Sequence, residues 1–197
     1  MKTSLLALAT VLSVSSLSVS ATERMYGLFA PGYAQTSMLD TDADDAGYTF
    51  ALGYEFAPQW YVEMGYQSLS DSDPSGDPAS DDFSPGLQAQ GLYLSVLGKA
   101  GSQSGELFYR LGLMNVDAKG QSLAIDGVCE VGQPIEPPQD AGVRACTFDE
   151  GLIAGVIGLG FDYYLGPRTM LRGEVQRVQG EHDFSSNVAT IGLRYNF

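Results

Sequence analysis

The sequence predicts an all-β fold: an eight-stranded antiparallel up-and-down transmembrane β-barrel, with short turns at one end and long loops at the other. Three observations carry this. Period-2 alternation recurs along the chain, while no long 3.6-residue periodicity is found. Short and long connections alternate strictly. One face of each clear strand is aromatic and aliphatic from end to end. The 197 residues are 44% hydrophobic and only 17% charged, with 24 Gly, 11 Tyr and 9 Phe. Acidic disordered chains are poorer in aromatics than this.

The chain opens on Met1-Lys2 and an apolar stretch, Leu5 to Val19, diluted by Ser and Thr. Val19-Ser20-Ala21 puts small residues at the two positions that a signal peptidase reads. Residues 1–21 are therefore expected to be a cleaved signal peptide, and 22–197 the exported barrel domain. A membrane helix needs about 20 strongly apolar residues. This stretch is shorter, and the best later run, Gly151 to Leu165, is broken by Gly155, Gly158, Gly160 and Asp162.

Strands are expected near 24–36, 47–57, 60–69, 86–98, 105–117, 151–165, 168–179 and 187–197. In the third, Trp60, Val62, Met64 and Tyr66 oppose Glu63, Gly65 and Gln67. In the last, Ala189, Ile191, Leu193, Tyr195 and Phe197 oppose Thr190, Gly192, Arg194 and Asn196. Residues 48–56 and 106–113 alternate in the same way, whereas the first and fourth strands alternate poorly and rest on spacing and turn signals. Pro58-Gln59, Lys99 to Ser104 and Gly166-Pro167 are the short connections. Segments 37–46, 70–85, 118–150 and 180–186 are mostly longer and acidic.

Bulky groups would overfill an eight-strand interior, and the Gly, Ala, Thr and Gln face fits it. The apolar face then points outward, which only lipid tolerates. Phe56, Trp60, Tyr61, Tyr163, Tyr164, Tyr195 and Phe197 gather near the short turns, as an interfacial girdle does. The formal net charge of -14 argues against nucleic acid and against anionic lipid surfaces as electrostatic partners.

The stretch from Gly158 through Tyr163-Tyr164-Leu165-Gly166-Pro167-Arg168 to Gln176 resembles the hairpin joining strands six and seven of OmpA-type outer-membrane barrels. The ending Ile191 to Phe197 is similar to the C-terminal signal by which such barrels are recognised for assembly, with Tyr195 and Phe197 as its aromatic positions. The resemblance implies a Gram-negative outer membrane, periplasmic short turns and extracellular loops. It further implies contact with outer-membrane lipid and lipopolysaccharide and with the barrel assembly machinery, for a chain expected to be monomeric.

Glu55, Glu63, Arg110, Arg172, Glu174 and Arg194 fall on inward faces near the periplasmic turns, where buried charges must be paired. They read as a salt-bridge network sealing the barrel, or as a narrow gated path. Cys129 and Cys146, the only cysteines, read as one disulfide in the third long loop. Asp71, Asp73, Ser75, Asp77 and Asp82, with Gly76 between, have the spacing of a calcium loop, although Pro74 and Pro78 interrupt it. A solvated acidic loop is the other reading. No catalytic set is expected: His182 has Ser185, Ser186, Glu181 and Asp183 nearby in sequence, but any polar loop with one His looks like this. The function expected is structural and surface-interacting (adhesion or envelope integrity, with a host or cell-surface ligand at the loops). Transport of small solutes is the alternative, and a lipid-modifying enzyme the remote one.

Overall fold

The computed structural model describes residues 24–38, 41–72, 86–124, 133–134 and 144–197. Among these residues nine strands follow one another: β1 Met25–Met38, β2 Thr41–Ala57, β3 Trp60–Asp71, β4 Leu87–Gly101, β5 Gly105–Ala124, β6 Gln133–Pro134, β7 Arg144–Tyr164, β8 Thr169–Gly180 and β9 Ser185–Asn196. The two-residue β6 only edges the outer end of β7. The other eight pair antiparallel with their chain neighbours. β5 meets β7 and β1 meets β9, so the sheet closes into an eight-stranded barrel without free edges. Closure is what lipid demands, because an open edge leaves backbone N–H and C=O groups unsatisfied.

The outward residues form an apolar belt. Phe50, Leu52, Met64, Leu92, Leu94, Leu111, Leu113, Ile157, Val175 and Ile191 are each at least half exposed, an arrangement only a lipid surround makes favourable. On β2 the belt runs from Phe56 to Tyr48. Nine residues at about 3.3 Å each, tilted by about 40°, give a height of about 23 Å. Aromatic girdles bound it. Phe56, Trp60, Tyr109, Tyr163, Tyr195 and Phe197 face out at the short-turn end, with Trp60 edge-on to Tyr109 at 6.0 Å. Tyr33, Tyr48 and Tyr66 mark the other side. Tyr61 does not belong to the girdle: it is buried and points into the barrel, because it has the parity of Glu63. Tyr164 is half-buried for the same reason.

Two expectations about the chain's course need correction. Segment 37–46 is not a long loop; β1 and β2 stay in register out to Met38 opposite Thr41. Likewise β5 and β7 pair out to Ala124 opposite Arg144, so that 118–124 and 144–150 are ladder rather than loop. These Asp-, Ala- and Ser-rich stretches have low strand propensity, and the partner strand holds them extended. β1 also alternates cleanly, with Tyr26, Leu28, Ala30 and Ala34 buried and Phe29 and Tyr33 out. Its pairing to β9 skips Ala30 and Pro31, where proline has no N–H to give.

Candidate functional site

The lumen is the part of the molecule where chemistry concentrates, and it has two storeys. The lower one, toward the short turns, is ionic. Four cations (Lys99, Arg110, Arg172 and Arg194) meet four carboxylates (Glu63, Glu106, Asp162 and Glu174). The set is neutral as a whole. It is drawn from β3, β4, β5, β7, β8 and β9, so it ties the circumference together across the lumen.

Asp162 is one hub. Arg172 donates to it bidentately, Nε to Oδ1 at 2.6 Å and a terminal nitrogen to Oδ2 at 2.8 Å. Arg194 and Lys99 add bonds to Oδ2 at 2.6 and 2.9 Å. Glu63 is the other hub. Tyr26 and Arg172 donate to its Oε2 at 2.5 and 2.8 Å, while Tyr93 and Arg110 reach Oε1, both at 2.7 Å. Arg110 also forks onto Glu174 and donates to Ser95 Oγ at 2.8 Å. Rings fill the gaps: Arg194 lies 4.0 Å over Tyr26, Arg172 4.4 Å over Phe108, and Lys99 4.2 Å over Tyr61. Planar guanidinium groups suit both the forked carboxylate contacts and the ring faces.

Five of the six expected inward charges meet here. Glu55 does not join them. It is half-buried beside the β2–β3 bulge at Glu55/Ala57, accepts a bond from the Tyr61 hydroxyl at 3.2 Å, and makes no ion pair with any described residue. Sequence reasoning missed Lys99, Glu106 and Asp162. In the sequence Lys99 falls at a short turn and Asp162 breaks an apolar run, although the parity of Asp162 with Gly160 and Leu152 already places it inward. Glu106 had the inward parity of Arg110 but was not counted.

The upper storey corrects the expectation of a small and polar interior. Met38, Leu69, Leu87, Met114, Val116, Phe148, Leu152, Val178 and Phe184 are buried together there. Bulky side chains fit because neighbouring strands offer glycine at the same level. The missing Cβ of Gly120 leaves room for the Phe148 ring, and that of Gly91 for Met114. The same device seats Tyr26 against Gly53 and Phe108 against Gly160 in the ionic storey. At the mouth, Thr36 and Ser186 share a hydrogen bond of 2.8 Å.

The remaining expected residues lie outside this region. Asp73, Ser75, Asp77, Asp82 and Cys129 fall outside the described residues. Asp71 ends β3, and its amide donates to the Asp45 carboxylate at 3.1 Å. Cys146 is buried on β7 and is not a free thiol. His182 does not meet a serine: Ser186 turns inward to Thr36, and His182 sits with Asp183 in a turn at positive φ. Tyr195 and Phe197 pack edge to face at 5.8 Å, and the Phe197 amide bonds to Met25 O at 3.0 Å, sealing the β1–β9 seam.

A profile of the outer membrane protein beta-barrel domain matches residues 4–197. No curated protein sequence matches. Among solved structures, the chain is similar to Neisserial surface protein A, at 13% identity over 88% of this chain and 97% of that one, with a TM-score of 0.63. It is similar to Ail, the attachment invasion locus protein of Yersinia pestis, solved with the heparin analogue sucrose octasulfate: 14% identity, 89% and 99% coverage, TM-score 0.53. It is also similar to the N-terminal beta-barrel domain of Pseudomonas aeruginosa OprF, at 12% identity, 87% and 99% coverage and a TM-score of 0.50. At such identities the likeness is one of fold.

Proposed function

The chain belongs to the outer membrane protein beta-barrel domain family, and from that premise we propose that it is a closed-lumen barrel acting structurally and through its extracellular surface, not as a pore. The observation that carries this reading is the doubly filled lumen. Glu63, Asp162 and Arg172 are fully buried in the lower storey, and Leu69, Leu87, Val116, Val178 and Phe184 in the upper. An ion crossing would have to displace both, breaking several charge-assisted bonds in a region that water does not reach. A gated path is the runner-up, and conductance is its readout.

What the surface presents is acidity. Asp42 and Asp44 face outward at the end of β2, and Asp117 and Asp149 lie in the loop-side halves of β5 and β7. Ail was solved with a polyanionic sugar; an acidic rim repels such a ligand, so this chain's partner is neutral or cationic. We assign the third loop the recognition role, with a Cys129–Cys146 disulfide closing about 18 residues and limiting its freedom by about 3 kcal/mol. The cleaved segment 1–21, the assembly role of Tyr195 and Phe197, and calcium at Asp71 to Asp82 belong to the same proposal. Recognition is tested by replacing 125–143 with a short Gly/Ser turn together with Cys146→Ser, which spares the β5–β7 ladder. Cells displaying this variant should lose adhesion to a partner surface while the barrel keeps its heat-sensitive gel mobility. Adhesion equal to that of the intact protein would end the loop reading.

A further inference from the structure

Buried polar groups in folded proteins are hydrogen-bonded, to the chain itself or to ordered water. The lower storey of the lumen keeps this rule: each oxygen of the Glu63 carboxylate has two partners. Further along β3 the rule is broken. Gln67 is 1% exposed, and neither its Oε1 nor its Nε2 has a partner among the described residues. Thr49 is 5% exposed, and its Oγ1 is in the same position. The register sets the two residues directly opposite each other on β2 and β3, both turned inward. Two unpartnered polar side chains thus share one spot on the lumen wall, and they do not bond to each other.

No described neighbour can serve them. Ala30 stands opposite Thr49 on β1, and Gly91 opposite Gln67 on β4. One step below on the inward face are Ala51 and Gly65, and one step above on β2 is Gly47. None of these carries a polar side-chain atom, and strand backbone is committed to the ladder. Tyr93, whose hydroxyl occupies the space over Gly65, gives its proton to Glu63. Leu69, fully buried, closes the level above. The pair is shut between the ionic storey and the apolar one, away from both mouths. Small side chains leave space beside Thr49, and the orphaned atoms offer what water needs: a hydroxyl that gives or takes, an amide oxygen that takes and an amide nitrogen that gives.

We propose that Thr49 and Gln67 form a binding site for one or two water molecules, which bridge the hydroxyl and the side-chain amide across β2 and β3. The Cβ atoms of directly opposite residues lie about 5 Å apart, a span that one water covers with two bonds of about 2.8 Å. A buried water makes about three bonds, and the three orphaned atoms supply that number. The site holds no carboxylate, so a cation gains nothing by leaving solvent for it. Water taken in as the barrel closes is then held there, out of contact with bulk. The site goes beyond the closed-lumen reading, and its test reads neither adhesion nor conductance.

NMR of the folded barrel in lipid nanodiscs tests it, with water itself as the probe. The Gln67 side-chain amide protons, assigned by their loss in Gln67→Met, should show NOE and ROE contacts to water of opposite sign, the mark of a long-held molecule. No contact, or the weak NOE of passing bulk water, overturns the site. Stability gives a second readout. Thr49→Val and Gln67→Met keep the side-chain shape and remove the polar atoms. A bridged pair predicts that either change alone leaves its partner unsatisfied and lowers the urea midpoint by about 0.5 M, while the double variant returns close to wild type. Dry orphans predict the reverse: each change raises the midpoint and the gains add, which overturns the proposal. A direct Thr49–Gln67 hydrogen bond would give the same coupling without the water contact, and overturns it too. The wild-type NMR arm decides alone if a variant fails to fold.

Discussion

Asp162→Asn keeps the shape of the side chain and removes its charge, and it should be among the most damaging single changes in this barrel. Asp162 is fully buried and holds three cations, Arg172 through two bonds and Arg194 and Lys99 through one each. The amide can still accept one arginine N–H, but its own NH2 then faces another donor. The plug changes from neutral to a net positive charge with no solvent to disperse it. Removing one partner of a buried pair costs about 3–5 kcal/mol, most of it from the charges left behind. With a denaturant slope of about 2 kcal/mol per M, the urea midpoint of the barrel in phospholipid vesicles should drop by about 2 M. The control is Lys119→Ala, which removes an exposed pair with Asp149 and should shift stability by less than about 1 kcal/mol. Adding Lys99→Met to Asp162→Asn removes one stranded cation and should return part of the loss, a coupling that a double-mutant cycle measures. If Asp162→Asn unfolds at the same urea concentration as Lys119→Ala, the plug does not hold the barrel in the way argued.

Three further outcomes follow from other parts of the molecule. Gly160→Val would drive a side chain into the Phe108 ring and the Gly173 carbonyl and should cost about 1–3 kcal/mol, whereas Gly101→Ala meets nothing and should leave the urea midpoint unchanged. Asp45 lies beyond Tyr48, outside the membrane-spanning belt. Its carboxyl is held below the usual aspartate range by the Ser72 hydroxyl, helped by the Ser70 hydroxyl and the Asp71 amide and opposed by partial burial. Since the folded value is the lower one, this tether is complete above about pH 4 and is lost as pH falls through the depressed value. An NMR titration of the Asp45 carboxyl carbon should show that low midpoint, and Ser72→Ala should raise it. Alkylation of the denatured, unreduced protein followed by mass spectrometry should find neither Cys129 nor Cys146 modified; a labelled pair would remove the proposed disulfide.

Much of the barrel is written in single strands. Trp60 to Gln67 and Ala189 to Phe197 sort their faces residue by residue, because a strand's period of two is visible without knowing its neighbours. What a strand's own sequence does not carry is depth in the barrel, which depends on how the strands are staggered. That is why Asp162 on β7, Lys99 on β4 and Glu106 on β5 were not grouped with Arg194 on β9, although all four converge within about 3 Å contacts. The apolar upper storey was hidden for a related reason. A bulky inward residue such as Phe148 looks like an overfilled interior until its neighbour across the ladder is seen to be Gly120. Loop lengths were overestimated where acidic stretches such as Thr41 to Ala46 stay paired without the residues that favour strands.

The most direct test of a closed lumen is single-channel recording of the refolded wild-type protein in a planar bilayer, beside Arg110→Ala, which removes the plug's link between Glu63 and Glu174. A filled two-storey barrel predicts a silent wild type, and a silent variant too, because the apolar storey above the plug is untouched. A stable, reproducible conductance from the wild type, altered by Arg110→Ala, would mean that the lumen is a path and that the transport reading is the correct one.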